Sequence, residues 1–176
     1  TMADLHLRRH HDRRSHWIRL YEDGGVRRGL MDMAAANSIV TGSAAGSSAW
    51  GSGYRVNNES VNIGPEGDEH PPILAIFRDA GKSTGLVTST RITHATPAGF
   101  AINMPSRWME DEIAAQYLER EYDVLMGGGR RHFVPDRRED GQNLLDGFRS
   151  NGYTVAESKA DLAGWDGSGR FLGTFY

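Results

Sequence analysis

Cysteine is absent from the sequence, and its absence removes several kinds of site at once. It excludes a disulfide scaffold, a zinc site with cysteine ligands and a cysteine nucleophile. It does not indicate whether the protein resides in an oxidising or a reducing compartment, because a chain without thiols is compatible with both. No run of 18 apolar residues occurs, so we predict no membrane-spanning segment. The first residues also lack the apolar stretch that a signal peptide requires, so none is expected in this chain.

An excess of charge of either sign is missing too, because 20 basic residues stand against 23 acidic ones, for a net charge of −3. This balance gives no electrostatic reason to expect a nucleic acid as a partner, and we expect no membrane partner either. The 176 residues are enough for one domain or for a piece of a larger one. Glycine is abundant, with 22 residues, which suits the tight strand-to-helix turns of an open α/β sheet.

The first 29 residues differ from the rest in composition, since they carry seven arginines and four histidines with little apolar periodicity. His6 and His10 are four residues apart, so on a helix they would share one face and could hold a metal. The alternative, which we favour, is a solvated basic tail without a site. The prediction is therefore a tail over residues 1–29 and a single α/β domain over residues 30–176.

Beyond the tail, strand-like and helix-like segments alternate along the chain. Strands are predicted at 38–41, 84–90, 122–126, 153–155 and 171–172, with the third broken by three glycines at 127–129. Helices are predicted at 44–50, from Pro71 to Gly81, from Pro97, at 110–121, at 144–152 and near 160–162, and a long loop at 51–70. This order predicts βαβ units and thus an α/β fold, with a mostly parallel central sheet and flanking helices.

Residues 81–84, Gly-Lys-Ser-Thr, resemble the end of a phosphate-binding P-loop. That loop needs a glycine five positions earlier, where this sequence has Ile76. It also needs a strand before it and a helix after it, which is the reverse of the predicted order. We therefore interpret the segment as the end of a helix and the entry to a strand.

Ser43 follows strand-like residues and opens a helix of small residues. The free N–H groups and partial positive charge of a helix N-terminus favour an anion, so a phosphate bound there would lie within reach of the Ser43 hydroxyl. The glycines at 42 and 46 are in the wrong frame for a serine-hydrolase elbow. A serine that simply caps the helix is the alternative, and local geometry alone favours the cap.

His94 and Thr96 come directly after the predicted strand at 84–90. Because sites form at the carboxyl ends of parallel strands, an imidazole and a hydroxyl two positions apart could serve a metal and its bound water there. Arg107 lies just before an acidic helix, and its guanidinium could bind a phosphate through two nitrogens. The alternative for Arg107 is a surface ion pair with Glu110 or Asp111.

Taken together, these segments resemble the alkaline phosphatase family. Residues 40–45, Val-Thr-Gly-Ser-Ala-Ala, are similar to its nucleophile motif, which is usually Val-Thr-Asp-Ser-Ala-Ala. Residues 81–87 and 93–98 resemble its next strand and the following metal-site turn, and Arg107 falls where the family keeps a phosphate-binding arginine. Residues 123–130, Asp-Val-Leu-Met-Gly-Gly-Gly-Arg, resemble its next strand and glycine-rich turn. Several motifs in the same order and spacing are far more specific than any one of them.

The resemblance implies a phosphomonoester hydrolase that acts through a phosphoserine intermediate with metal assistance. It implies that Ser43 is the nucleophile and, when ionised, a zinc ligand. Thr96 would supply a hydroxyl to a magnesium site, and His94 would lie beside that site. Arg107 would clamp two phosphate oxygens of a phosphate-monoester substrate. The cofactors that the resemblance implies are zinc and magnesium, with zinc activating Ser43, and metal coordination is one of the few ways to ionise a serine hydroxyl near neutral pH.

Three features depart from the family pattern. Gly42 stands where the family has an aspartate that helps to orient the arginine. The family's upstream Gly-Asp-Gly segment has no counterpart, and neither does the downstream half with most of its metal ligands. Glu69 and His70 lie in the wrong region to replace those ligands. The chain therefore resembles an internal fragment from the N-terminal half of a family member, so the fold is expected to be truncated. The alternative to the phosphatase is that this fragment is catalytically impaired and only binds phosphate or a metal.

The resemblance also implies a homo-oligomer and a periplasmic or secreted location. A truncated sheet leaves apolar surface and an unpaired edge open, and both features favour pairing with a second chain. We expect the contact to involve residues 17–21 and an exposed face near residues 171–176. Without a signal peptide in the chain, the location is an expectation from the resemblance alone.

Overall fold

A computed structural model of the chain describes residues 9–11 and 29–175. The chain divides into two compact units, Thr1–Asp32 and Met33–Tyr176, and the fold described below is that of the second unit. The predicted domain boundary after residue 29 stays a prediction. Among the described residues, no helix is both long enough and apolar enough to cross a membrane.

Four parallel strands form the sheet, in the spatial order β1-β2-β4-β3. The strands are β1 Gly85–Arg91, β2 Val124–Gly128, β3 Tyr153–Ala156 and β4 Arg170–Phe175. Parallel neighbours need crossover connections, and the helices between the strands supply them. The predicted α/β class with a mostly parallel sheet is confirmed.

Six α-helices and one 3-10 turn are described in the second unit. They are α1 Ser43–Ser52, α2 Ile73–Asp79, α3 Ala95–Ala98, α4 Glu110–Arg120, the 3-10 turn Arg130–His132, α5 Leu144–Ser150 and α6 Lys159–Ala163. Helix α2 ends shortly before Gly81, whose φ of 69° is the left-handed conformation that glycine adopts most easily. The helix predicted from Pro97 is a single turn that begins two residues earlier, at Ala95.

The core of the unit joins α4 and α5 to the central strands. Ile113 and Tyr117 are four residues apart on α4, so they share one face, and both are fully buried. The Tyr117 hydroxyl donates a hydrogen bond of 2.9 Å to the carbonyl of Ile92, just past the end of β1. Packing of α4 therefore fixes the strand end that leads to His94 and Thr96.

Helix α1 lies unusually close to α3 because glycine stands at the contact on α1 and directly after the end of α3. A Cβ built on Gly51 would lie 1.9 Å from the carbonyl oxygen of Gly99, so no side chain fits there. The Ser47 hydroxyl donates to the carbonyl of Ala95 at 2.8 Å and ties the two helices together. This close approach brings Ser43, the first residue of α1, beside the turn that carries His94.

The strand predicted at 38–41 is wrong, because this segment is coil that bends at residues 39 and 40 and has no strand partner among the described residues. Ile39 and Val40 are exposed, and side chains bind the backbone instead of a neighbouring strand. The N–H of Val40 donates to the Ser38 hydroxyl at 3.1 Å, and the Asn58 amide donates to the Val40 carbonyl at 2.9 Å. A β-branched sequence is thus not enough to make a strand where no edge is available to pair with it.

The predicted break of the third strand at Gly127 is also wrong, because β2 continues through Gly127 and Gly128. A Cβ on Gly127 would lie 2.7 Å from the Cγ2 of Thr88, so glycine is what lets β2 approach β1. The strand stops at Gly129, where φ is 92°.

The contact expected near residues 171–176 does not fit the described structure. Strand β4 lies between β2 and β3, and Phe171 and Leu172 are fully buried within the unit. Residues 17–21, the other expected contact, lie outside the described residues.

Candidate active site

The N-terminus of α1 places Ser43 without using it as a cap. The capping position belongs to Gly42, with φ −74° and ψ 163°, and no side chain caps the helix. The Gly42 N–H donates instead to the Asn58 side-chain oxygen at 2.8 Å. The interpretation of Ser43 as a capping serine is therefore wrong, and its hydroxyl remains open to other partners.

The guanidinium of Arg107 is the partner that the Ser43 hydroxyl finds. Its Nη1 donates to Ser43 Oγ, and its Nη2 hydrogen-bonds with His94 Nε2 at 2.8 Å. The alternative of a surface ion pair with Glu110 or Asp111 is wrong, because those carboxylates bind other groups. Three of the four predicted site residues, Ser43, His94 and Arg107, thus meet at one point.

Arg107 is held from its backbone side by the segment around Glu59. Its N–H donates to the Glu59 carbonyl at 2.7 Å. The ring centroid of Trp108 lies 5.0 Å from the Arg107 Cζ, and the Trp108 indole N–H donates to Glu59 Oε2 at 3.0 Å. Neither Glu59 nor Trp108 was predicted as a site residue, because nothing in the sequence spacing connects positions 59 and 108.

His94 is the residue just before α3, and its environment favours the neutral imidazole. Burial lowers its pKa below the usual 6.5, and the charges of Arg107 and Arg91 lower it further, while Glu110 acts in the opposite direction. A neutral ring whose Nε2 accepts from Arg107 carries its proton on Nδ1. That Nδ1 is buried and has no hydrogen-bond partner.

Thr96, the fourth predicted residue, is the second residue of α3, two positions after His94. It lines a cleft of about 540 Å³ together with Gly42, Ser43, Gly46 and Trp50. Ser43 and Thr96 therefore border the same cleft, whereas His94 and Arg107 do not line it. All four predicted site residues therefore lie at the same end of the sheet, past the carboxyl end of β1, as parallel-sheet folds favour.

A buried carboxylate supports this end of the sheet and was missed by sequence reasoning. Glu110 accepts two bonds of 2.8 Å from Arg91, one of 2.6 Å from Thr93 Oγ1 and pairs with His132 Nε2 at 3.1 Å. Burial by itself raises the pKa of Glu110, but the hydrogen bonds from His132, Arg91 and Thr93 outweigh burial and hold the pKa well below its usual range. The sequence signal was weak, since an acidic residue in the first turn is common in any helix.

The donors in the described part of the chain do not fit a tight zinc site. Within residues 9–11 and 29–175 there is no group of three or more His, Asp or Glu side chains that could hold a metal ion. The His70 ring pairs with Asp68 at 3.1 Å and stacks on Tyr54, and neither of these contacts involves Ser43. His6, needed for the predicted histidine pair, lies outside the described residues.

Comparison with known proteins gives a consistent result. The chain matches the family model described as alkaline phosphatase over residues 9–176. It is 38% identical to the repressible alkaline phosphatase of Saccharomyces cerevisiae, an alignment that covers 68% of this chain and 24% of the yeast protein. It is 33% identical to the streptomycin-6-phosphate phosphatase of Streptomyces griseus, over 70% of this chain and 32% of that protein.

Solved structures agree with the sequence comparisons. The Thermus thermophilus alkaline phosphatase superposes with a TM-score of 0.90 at 38% identity, covering 98% of this chain and 36% of that one. A mutant of the Antarctic bacterium TAB5 alkaline phosphatase, with a TM-score of 0.75 and 24% identity, has Mg bound in its M3 site. The chain thus spans about a quarter of the yeast protein and about a third of the Streptomyces griseus protein.

Proposed function

Because this chain belongs to the alkaline phosphatase family, we propose that it carries the nucleophile and the phosphate-binding arginine of a phosphomonoester hydrolase. The observation that supports this proposal most is the contact between Arg107 and Ser43. It puts a fixed positive charge on the hydroxyl at a helix N-terminus, where an anion is also favoured by the helix dipole. Since the chain covers only part of its relatives, the activity of a whole phosphatase is itself part of the proposal.

The proposed reaction has two displacements at phosphorus. In the first, a bond forms between Ser43 Oγ and phosphorus while the bond to the ester oxygen breaks, and the alcohol leaves with a proton. In the second, water attacks the phosphoserine, inorganic phosphate leaves and Ser43 regains its hydroxyl hydrogen. The sum is the hydrolysis of a phosphate monoester.

Arg107 supports both displacements through its planar fork of donors. The two terminal nitrogens that contact Ser43 and His94 are spaced to bind two phosphate oxygens when substrate replaces these contacts. A cation that donates to Ser43 Oγ also favours the ionised hydroxyl. The neutral His94 accepts from Arg107 without adding a second positive charge.

Zinc and magnesium, which the family resemblance implies, find few ligands among the described residues. Ser43, Thr96 and His94 offer two hydroxyls and one imidazole, whereas zinc sites use three or four strong ligands. We therefore propose weak or partial metal occupancy for this chain. The same scarcity favours the second candidate function, a fragment that binds phosphate but turns it over poorly.

Turnover of p-nitrophenyl phosphate and binding of inorganic phosphate together test the proposal. We expect Ser43→Ala to abolish most turnover, to retain phosphate binding and to unfold at the wild-type temperature. Arg107→Ala should lower both the turnover of p-nitrophenyl phosphate and the affinity for inorganic phosphate. Ser52→Ala is the matched control, because Ser52 is the last residue of α1 and its hydroxyl donates to the Ser48 carbonyl of its own helix at 2.9 Å.

The outcomes separate the two candidate functions. Unchanged turnover in Ser43→Ala would overturn the nucleophile assignment. A wild type without turnover, in buffer with zinc and magnesium as well as with a chelator, would leave the second candidate, provided that Arg107→Ala loses phosphate binding.

A further inference from the structure

The guanidinium of Arg107 has no carboxylate partner among the described residues. Its hydrogen bonds go to Ser43 and His94, and its Nε is buried without a hydrogen-bond partner. Gly42, next to Ser43, has no side chain that could reach it. A long and flexible arginine side chain binds phosphate well only if another group fixes its plane.

Trp108 covers the guanidinium from one side. The Arg107 Cζ lies 5.0 Å from the centre of the indole ring, which is within the range of a cation–π interaction. The indole is itself fixed, because its N–H donates to Glu59 Oε2 at 3.0 Å. Trp108 remains 65% exposed, so it contributes little to the core.

Glu59 contacts both Arg107 and Trp108, and its own backbone conformation is uncommon. Its carbonyl accepts the Arg107 N–H at 2.7 Å, while its carboxylate accepts from Trp108. Its φ is 73°, in the left-handed region that residues other than glycine rarely adopt. One residue thus fixes the backbone of Arg107 and the ring that covers its side chain.

The turn that contains Glu59 also holds the nucleophile side of the site. The N–H of Ser60 donates to the Asn57 carbonyl at 3.1 Å and closes the turn. Asn58, inside it, accepts the Gly42 N–H at 2.8 Å through its side chain. Two adjacent residues of one turn therefore set the positions of Ser43, through Gly42, and of Arg107.

From these contacts we infer that Glu59 and Trp108 are positioning residues, which hold the Arg107 guanidinium in the plane that binds the phosphate group. This inference rests on the proposed function. Neither residue touches the reacting atoms. Their effect reaches the substrate through Arg107 alone, so it should vanish when Arg107 is removed.

Phosphate affinity, measured by calorimetry, tests the inference together with the KM and kcat for p-nitrophenyl phosphate. We expect Trp108→Ala to weaken phosphate binding by about 2- to 5-fold, the effect of one exposed cation–π contact, with a larger change in KM than in kcat. The phosphate affinity of Trp108→Phe should fall between those of the wild type and Trp108→Ala, because phenylalanine keeps a ring but loses the N–H. Glu59→Ala should match Trp108→Phe, and Glu59→Gln, which retains an acceptor, should restore most of the affinity.

Three controls make the result specific. Trp165→Phe removes an indole N–H outside the site, where it donates to the Ser168 carbonyl at 2.8 Å, and should leave phosphate affinity unchanged. Thermal unfolding of the Trp108 and Glu59 variants should stay close to the wild type. In an Arg107→Ala background, Trp108→Ala should have no further effect, because the residue that it positions is gone.

The outcomes distinguish this inference from the proposed function. If Arg107→Ala leaves phosphate binding unchanged, the proposed function fails, and the inference fails with it. If Arg107→Ala weakens binding but Trp108→Ala and Glu59→Ala do not, only the inference is overturned. An equal effect of Trp108→Ala with and without Arg107 would also overturn it, because the tryptophan would then act on phosphate directly.

Discussion

At the scale of single residues, the placement of Ser43 depends on the residue before it. A serine in the capping position would commit its hydroxyl to a backbone N–H of its own helix. Gly42 takes that position, so Ser43 becomes the first helical residue and its hydroxyl is left to Arg107. A shift of one position separates a structural serine from one that can act as a nucleophile.

Gly42→Asp tests how much a carboxylate beside Ser43 would add to the site. Gly42 has φ −74°, which any residue adopts, and a Cβ there would lie 3.2 Å from the Asn58 side-chain oxygen, which has to move by a few tenths of an ångström. We expect unchanged or slightly raised stability, because aspartate also caps helices well. If its carboxylate reaches Arg107, phosphate binding should tighten by about 1.5–3 kcal/mol, the range of charge-assisted hydrogen bonds.

Calorimetry with phosphate and thermal unfolding, run side by side, measure both effects. Gly42→Asn is the matched control, since it has the same size and capping ability but no charge. The gain should be larger in a Trp108→Ala background, where Arg107 lacks its ring contact. Intact stability without any gain in affinity would show that Arg107 is not positioned from residue 42.

Sequence reasoning found the site residues that form part of a contiguous motif and missed those that act through a turn. Ser43, His94 and Arg107 were predicted, and the structure brings them together. Glu59 was not, because its contribution depends on a left-handed backbone angle that no pattern around it specifies. The chemical roles of Ser43, His94 and Arg107 stay predictions until turnover is measured.

At the scale of elements, the contact between α1 and α3 can be tested with two glycines of the same helix. Gly51→Ala would put a Cβ 1.9 Å from the Gly99 carbonyl oxygen, whereas on Gly46 the nearest atom is the Thr41 Cγ2 at 3.7 Å. We expect Gly51→Ala to cost at least about 1–3 kcal/mol through overpacking. Gly46→Ala should instead gain about 0.5–1 kcal/mol, because alanine favours the helix. Urea unfolding measures both, and equal changes would contradict the close approach of the helices.

The junction of β1, α4 and the 3-10 turn depends on the charge of Glu110. Since its pKa is lowered in the folded protein from a usual 4.5, the unfolded chain takes up the proton first as the pH falls. The stabilisation from ionised Glu110 is therefore complete above about pH 5 and is lost progressively below pH 4.5. Glu110→Gln should cost about 1.5–3 kcal/mol at pH 7, the range for hydrogen bonds to a charged group, and clearly less at pH 3.

Chemical unfolding of wild type and Glu110→Gln at several pH values measures this difference. Asp79→Asn is a suitable control, because that carboxylate is paired with Arg78 but is exposed at the end of α2. A penalty for Glu110→Gln that is the same at pH 3 and pH 7 would mean that the charge of Glu110 does not stabilise the junction.

Elements were predictable from the sequence wherever periodicity and end signals agreed. The four sheet strands and the helix that begins after Pro72 are of this kind. Residues 38–41 were predicted wrongly because strand propensity says nothing about whether a partner strand exists. Gly127 was misread because a glycine that permits close packing inside a sheet has the same appearance in sequence as one that ends a strand.

At the scale of the whole molecule, the sequence predicted the α/β class, which follows from the order of the elements. The neighbours of each strand were not predictable from that order, because β4 inserts between β2 and β3. This insertion is why the expected contact near residues 171–176 was wrong: the last strand is central in the described sheet. Any surface for a second chain has to be sought elsewhere.

Helix α2 is the part of the described structure that best fits such a surface. Ile73, Ile76 and Phe77 lie on it, with Ile76 52% and Phe77 48% exposed, and no residue of this helix is buried. Exposed apolar side chains that cluster on one element favour association. We therefore expect the chain to form a homodimer or a larger species, and the double variant Ile76→Glu/Phe77→Glu to shift it toward the monomer.

Light scattering over a dilution series measures this, with Gln142→Glu as a control for added charge on an exposed loop. A wild-type chain that stays monomeric at every concentration and binds no hydrophobic dye would contradict the prediction, because the apolar face of α2 would then be neither paired nor accessible.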